Sequence, residues 1–270
     1  MTEHLRDLVR RALDEDRAGD DVTSRATIPA SLTGSARLVA NEPCVVAGLD
    51  VFEACFTELD PSVRVRAAVK DGDPAEPGDE LAVVEGPLRS ILAAERTALN
   101  FVQRLCGIAT LTRAFVARAG RVTILDTRKT TPGLRALEKA AVAAGGGSNH
   151  RMDLASAILV KDNHVAAAGG IGPAVAAAKA SGLPVEVECD TPDQVREALG
   201  AGADAILLDN MTVETLRQAA ELVGGRARTE ASGGVTLDTV AAIAGTGVDA
   251  ISVGALTHSA RAIDVSLEVP

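Results

Sequence analysis

Residues 185–210 read VEVECDTPDQVREALGAGADAILLDN. An apolar β-type run, VEVEC (185–189), gives way at Thr191-Pro192-Asp193 to a helical pattern over 192–200, and a second run, AILLD (205–209), follows. Threonine before proline suits a helix start, because the proline nitrogen falls where the first helical turn needs no donor. Strand, helix and strand in that order make a βα unit, whose strands lie parallel. The rhythm extends outward. VTILD (122–126), AILVK (157–161), ARTEA (227–231) and DAISVG (249–254) are further strand candidates, with helices at 134–144, 172–181, 212–223 and 236–244. Six or so parallel strands in succession favour a barrel. A doubly wound sheet competes, and strand count alone does not decide between them.

The first hundred residues differ. Leu5, Leu8, Val9, Ala12 and Leu13 recur at helical spacing, and Gly19–Ser24 reads as a polar loop. Short alternating runs at Ala36–Val39, Val45–Val46, Val63–Val69 and Leu81–Val84 surround a helix near Val51–Glu58. From Pro87 a long helical pattern runs to about Ala119, and Gly107 predicts a kink or a helix pair. The run Gly145-Gly146-Gly147 lacks the spacing of a nucleotide loop and reads as a mobile joint beside His150 and Arg151.

Composition excludes whole classes of function. The 270 residues carry 27 Lys+Arg against 37 Asp+Glu, a net charge of −10, with four Phe, no Trp and no Tyr. Such a chain lacks the basic face and stacking platforms that nucleic acid demands. No apolar run is long enough for a membrane span, and the charged, amphipathic start is not a signal peptide, so a cytoplasmic protein is expected. Cys44, Cys55, Cys106 and Cys189 stand apart from one another. They read as reduced core residues rather than a zinc site.

The chemistry collects where the strands end. Asp126-Thr127-Arg128-Lys129, Lys161-Asp162-Asn163-His164, Glu186 with Glu188, Asp209-Asn210 and Glu230-Ala231-Ser232-Gly233-Gly234 follow one another at successive strand ends. In parallel α/β folds that rim holds the site. Between residues 126 and 161, six cations (Arg128, Lys129, Arg135, Lys139, Arg151, Lys161) oppose three anions (Asp126, Glu138, Asp153), a local +3 inside a −13 remainder. A basic pocket in an acidic protein calls for a small, highly anionic ligand. Ser232-Gly233-Gly234 and Gly254-Ala255, after the last two strands, suit a phosphate.

The segments ERTALNFVQRLCGIAT (95–110), DTRKTTPGLRALEKAAVAAGGGSNHR (126–151), KDNH (161–164), VEVE (185–188), LLDN (207–210), EASGGV (230–235) and SVGALTHSA (252–260) resemble the quinolinate phosphoribosyltransferase family, also called nicotinate-nucleotide pyrophosphorylase (carboxylating). The likeness runs nearly end to end. Ala140 departs from it where many members have Tyr, and Met152-Asp153 where many have Gly; both positions are read as flanking the site.

The resemblance implies an N-terminal α/β sandwich domain (1–107, with a tail of about 259–270 returning to it) and an incomplete parallel α/β, TIM-like barrel (108–258). It implies a homodimer, or a hexamer of dimers, with shared active sites. The implied reaction joins quinolinate to 5-phosphoribosyl-1-pyrophosphate with Mg²⁺, releasing pyrophosphate and CO₂ and giving nicotinate mononucleotide for NAD synthesis. Arg128, His150 and Arg151 are then the quinolinate set, with Arg96 supplied by the neighbouring subunit. Lys129 and Lys161 neutralise phosphates, Glu188 and Asp209 serve ribose hydroxyls and Mg²⁺, and Ser232, Gly233 and Gly254 hold the 5-phosphate.

Three other readings have distinct signatures. A related phosphoribosyltransferase for another heteroaromatic acid would keep the phosphate residues and change the carboxylate-binding set. An aldolase using Lys161 as a Schiff base would be trapped by borohydride. A non-catalytic phosphometabolite sensor would release no CO₂ when given both substrates.

Overall fold

A computed structural model of the chain describes residues 3–269. In chain order it contains α1 (Glu3–Glu15), a 3-10 turn (Ala18–Asp20), α2 (Val22–Thr27), β1 (Thr33–Ala40), β2 (Cys44–Val45), α3 (Leu49–Leu59), β3 (Arg64–Ala67), β4 (Pro74–Ala75), β5 (Glu80–Pro87) and α4 (Leu88–Ala119). There follow β6 (Thr123–Leu125), α5 (Arg135–Ala144), β7 (Ile158–Val160), α6 (Asp162–Ala168), α7 (Ile171–Lys179), β8 (Val185–Cys189), α8 (Pro192–Gly200) and β9 (Ala205–Asp209). The chain closes with α9 (Val213–Val223), β10 (Arg228–Ser232), α10 (Val240–Ala244), β11 (Ala250–Ser252), α11 (Ala255–His258) and β12 (Val265–Glu268). Two compact units result. The first runs through Arg113 and takes in Thr131–Gly146 and the chain from Ala260; the second is Ala114–Thr130 with Gly147–Ser259. The segment 131–146, expected in the barrel, therefore packs with the first unit.

The first unit is built on a four-stranded antiparallel sheet in the order β12-β1-β5-β3. The apolar stripe of α1 buries Val9 and Leu13, and α3 buries Phe52 and Phe56 edge to face, with ring centroids 5.0 Å apart. The expected loop at Gly19–Ser24 is partly helical, because the Asp21 carboxylate accepts from the Thr23 and Ser24 amides and starts α2. The expected break at Gly107 is absent and α4 is one continuous helix. A Cβ on Gly107 would lie 1.9 Å from the Arg261 carbonyl oxygen, so this glycine admits a crossing chain rather than a kink. Gly145 is similar: its Cβ would meet the Ala109 carbonyl at 2.5 Å, which makes the supposed mobile joint a close-packed one.

This unit buries two charged side chains completely. Glu138 and Lys139 on α5 are both 0% exposed. Glu138 accepts from Arg104 and, through Oε2, from the Thr131 amide at 3.1 Å, while Arg104 also donates to the Thr131 hydroxyl at 2.8 Å. All four cysteines are free and buried. Burial alone pushes the Cys55 thiol up to about 12, so it is inert as a nucleophile at neutral pH.

The second unit is the parallel α/β barrel, with strands in the order β6-β11-β10-β9-β8-β7. Sequential neighbours pair, and β11 returns to β6, but β6 and β7 do not pair, so one seam is open. Outward positions on β8 (Val185, Val187, Cys189) are fully buried, while the alternate positions, Glu186 and Glu188, stay partly accessible. Barrel interiors are ordinarily filled by branched apolar side chains. Here the inward layers carry Glu186, Glu188, Asp209, Glu230 and Ser232, so the interior is available for chemistry. An unexpected helix, α6, begins directly after Lys161; the Lys161 amide donates to His164 Nδ1 at 3.0 Å and caps it. Among the described residues no helix is long and apolar enough to cross a membrane.

Candidate active site

Within the second unit a cavity of about 370 Å³ opens at the carboxyl ends of the strands. Thr127, Arg128 and Lys129 line it after β6, His150 and Arg151 reach it from a later loop, and Lys161 follows β7 directly. Glu188, Asp209, Glu230, Ser232 and Ser252 enter from β8, β9, β10 and β11. The strands hold these groups in register: Ser232 pairs with Asp209, and one layer below, Glu230 pairs with Leu207. Lys161 Nζ bonds Glu188 Oε2, which holds an acid and a base together at one strand rim.

The loops that close the rim depend on local backbone chemistry. Asn210 takes a left-handed conformation (φ 53°) and its amide donates to the Ser232 carbonyl at 2.9 Å. Gly233 sits at φ 97°, where a Cβ would stand 2.2 Å from Asn210 Oδ1, so only glycine fits. Gly254 faces Lys129: a Cβ there would lie 3.2 Å from Lys129 Cδ. The Thr257 hydroxyl donates to the Lys129 carbonyl at 2.8 Å, and the Lys129 amide donates to Thr127 Oγ1 at 3.0 Å. These bonds fix the backbone that presents the Arg128 and Lys129 side chains.

The electrostatics is that of an anion trap. Arg128 Nε is buried without a hydrogen-bond partner among the described residues, a donor left for a ligand. Burial, then the nearby Arg128 charge, holds the Arg151 guanidinium below its ordinary value. Two like charges at the same rim cost free energy until an anion joins them. Below lies a second cavity of about 400 Å³, and His150, Arg151 and Glu230 line both. Burial, then the Glu186 charge, pushes the Glu230 carboxyl up to about 7.

The structure brings together Arg128, Lys129, His150, Arg151, Lys161, Glu188, Asp209 and Ser232 in one cavity, with Gly233 and Gly254 in the loops behind it. Arg96 is elsewhere. It is exposed on α4, in a first-unit cavity lined also by Glu15, Asp16, Asn100 and Arg104. Arg135 and Lys139, counted in the basic segment, belong to the first unit, so the trap is narrower than the charge count implied. Ala140 is exposed on α5 in that unit and does not flank this cavity, whereas Met152 lines the lower one. The sequence reading had not given site roles to Thr127, Ser252 or Glu230. The signal for Glu230 was present, since Arg228, Glu230 and Ser232 fall on one face of their strand.

A parallel barrel with cations and carboxylates converging on its open mouth belongs to the class of α/β barrels built to hold a small anionic ligand. Its two parts match the quinolinate phosphoribosyl transferase N-terminal domain over residues 21–106 and the C-terminal domain over 108–268. A tobacco (Nicotiana tabacum) quinolinate phosphoribosyltransferase [decarboxylating] is 44% identical, across 99% of this chain and 83% of its own. A probable nicotinate-nucleotide pyrophosphorylase [carboxylating] of Bacillus subtilis is also 44% identical, across 98% and 93%. The solved structure of the nicotinate-nucleotide pyrophosphorylase from Francisella tularensis superposes with a TM-score of 0.95 at 39% identity, covering 99% and 96%. The chain belongs to the quinolinate phosphoribosyltransferase family.

Proposed function

We infer that this chain transfers the phosphoribosyl group of 5-phosphoribosyl-1-pyrophosphate to quinolinate with decarboxylation, giving nicotinate mononucleotide, pyrophosphate and CO₂ for NAD synthesis. The observation that carries this reading is the convergence of Arg128, Lys129, Arg151 and Lys161 on one cavity opposite Glu188 and Asp209. Two adjacent carboxylates on a pyridine ring need planar, bidentate donors, which Arg128 and Arg151 supply. Phosphates accept point charges as readily, which suits Lys129 and Lys161. Ser232 and the Gly233 and Gly254 backbones would receive the 5-phosphate.

The mechanism follows from these placements. Lys129 and Lys161 stabilise the departing pyrophosphate, and the carboxylates of Glu188 and Asp209 tolerate the positive charge that develops on the ribosyl carbon. The ring nitrogen then bonds to that carbon and becomes quaternary. The C2–carboxylate bond breaks, CO₂ leaves, and the electron pair on C2 is held by the adjacent cationic nitrogen until a proton arrives. Glu188 and Asp209 offer the hard oxygen donors that Mg²⁺ prefers, with room for water and phosphate oxygens, so they fit that ion. Bound there, it would supply charge neutralisation at the pyrophosphate.

Arg96 fits this scheme as a group donated across a homodimer, or a hexamer of dimers, because it is exposed and lies outside the cavity of its own second unit. Mixing inactive Arg96→Ala with inactive Lys161→Ala chains is then expected to restore part of the activity. No recovery after proven subunit exchange would remove the shared site. Four buried free thiols support a cytoplasmic location. The main test is release of pyrophosphate and CO₂ dependent on quinolinate, with nicotinate as control. Turnover of nicotinate but not quinolinate would overturn the substrate assignment.

A further inference from the structure

Beneath the carboxylate-binding residues, three titratable groups meet. His150 Nε2 lies 3.2 Å from Glu186 Oε2 and 3.5 Å from Glu230 Oε1. The atoms of the three groups fall within 4.8 Å of one another, a spacing a small cation accepts. The other side of the imidazole argues against a cation. Nδ1 accepts the Arg151 backbone N–H at 2.8 Å, which leaves the ring proton on Nε2, pointing into the cluster. A metal ion would need that lone pair.

One N–H shared between two ionised carboxylates satisfies neither fully. Glu230 is 3% exposed and its Oε1 has no hydrogen-bond partner among the described residues, whereas Glu186 is less buried and nearer the imidazole. The groups facing Glu230 are Glu186 from β8, His150 and Arg151 from the loop, Arg228 from its own strand and the Ser252 hydroxyl from β11. Its partner in register on β9 is the apolar Leu207.

We propose that Glu230 is a positioning residue for the aromatic acid: as a neutral carboxylic acid it leaves the His150 N–H to Glu186, and so holds the His150–Arg151 turn in the form that receives quinolinate. The chain of contact is continuous. Asp126 Oδ1 accepts the His150 amide at 2.8 Å, the imidazole accepts the Arg151 amide, and the Arg151 guanidinium donates to the Ala157 carbonyl at 3.0 Å. Ionising Glu230 places a second negative charge under the site of a dianionic substrate and competes with Glu186 for the one N–H. Quinolinate binding then weakens, while the phosphoribosyl donor, held one layer higher, is unaffected. The proposal rests on the quinolinate reading above.

The test is the pH dependence of the two Michaelis constants in wild type and in Glu230→Gln, which keeps the shape and cannot ionise. In wild type the KM for quinolinate is expected to rise about tenfold from about pH 6 to about pH 9 relative to the variant, with kcat and the donor's KM following the same profile in both. Glu230→Gln is expected to match wild type at the acid end. Parallel quinolinate profiles in the two proteins would overturn the proposal, since a merely structural role moves KM equally at every pH. Imidazole ¹⁵N shifts of His150 in the wild-type protein give an independent check: the neutral Nε2–H form is expected, and an imidazolium or Nδ1–H form would overturn it. Arg128→Ala is the control for the underlying reading. A quinolinate KM unchanged in that variant would show that the substrate assignment, rather than the role of Glu230, has failed.

Discussion

Two buried charged sites, one on α5 in the first unit and one at the barrel mouth in the second, are treated in opposite ways. On α5 in the first unit, Glu138 is wholly enclosed and receives bonds from Arg104 and the Thr131 amide. In the second unit, Arg128 Nε and Glu230 Oε1 are buried without hydrogen-bond partners among the described residues, and two arginines share one rim. A satisfied ion pair serves the fold, because breaking it strands a charge in a poor solvent. An unsatisfied set is a cost to the fold that a ligand relieves.

The comparison can be broken at either end. The largest effect is expected at the rim: Lys129→Ala and Lys161→Ala should each lower turnover on the order of 10³-fold with melting temperatures nearly unchanged. Near-normal steady-state rates would sink their assignment. Glu138→Ala should do the reverse, costing about 2 kcal/mol of stability by removing the acceptor that Arg104 and the Thr131 amide share, while sparing the rate per folded molecule. Denaturant titration alongside the assay separates the two. Smallest is the effect of Glu230 on the free protein. Its carboxyl is raised from 4.5 to about 7, so the folded state holds the proton more tightly than the unfolded chain. That stabilisation is present at acid pH and disappears as pH climbs through this window. Glu230→Gln should flatten that part of the stability curve; an unchanged slope would place the proton elsewhere.

Much of this was legible from local pattern. The sequence reading placed β8, β9 and α8 at 185–189, 205–209 and 192–200, where the structure has them, because period-two burial and a Thr-Pro helix start act within a few residues. Charged residues at successive strand ends located the cavity for the same reason. Gly107 was misread because its cause, the Arg261 carbonyl, lies far along the chain. The basic segment was overcounted because α5 leaves the barrel for the first unit, and no local signal marks such a departure. Glu230 was visible at a strand end, but its meeting with Glu186 and His150 needed the curved sheet, which brings the three within reach.

The way the chain is partitioned also sets an order of events during synthesis. It passes between the units after Arg113, Thr130, Gly146 and Ser259, so neither unit is one uninterrupted stretch. β12, the last strand, flanks β1, one of the first, along Arg37–Ala40. Until Val265–Glu268 leaves the ribosome, that stretch of β1 offers an unpaired backbone to any passing strand. The barrel's strands are all made by then, yet the sheet begun first is the last to be finished.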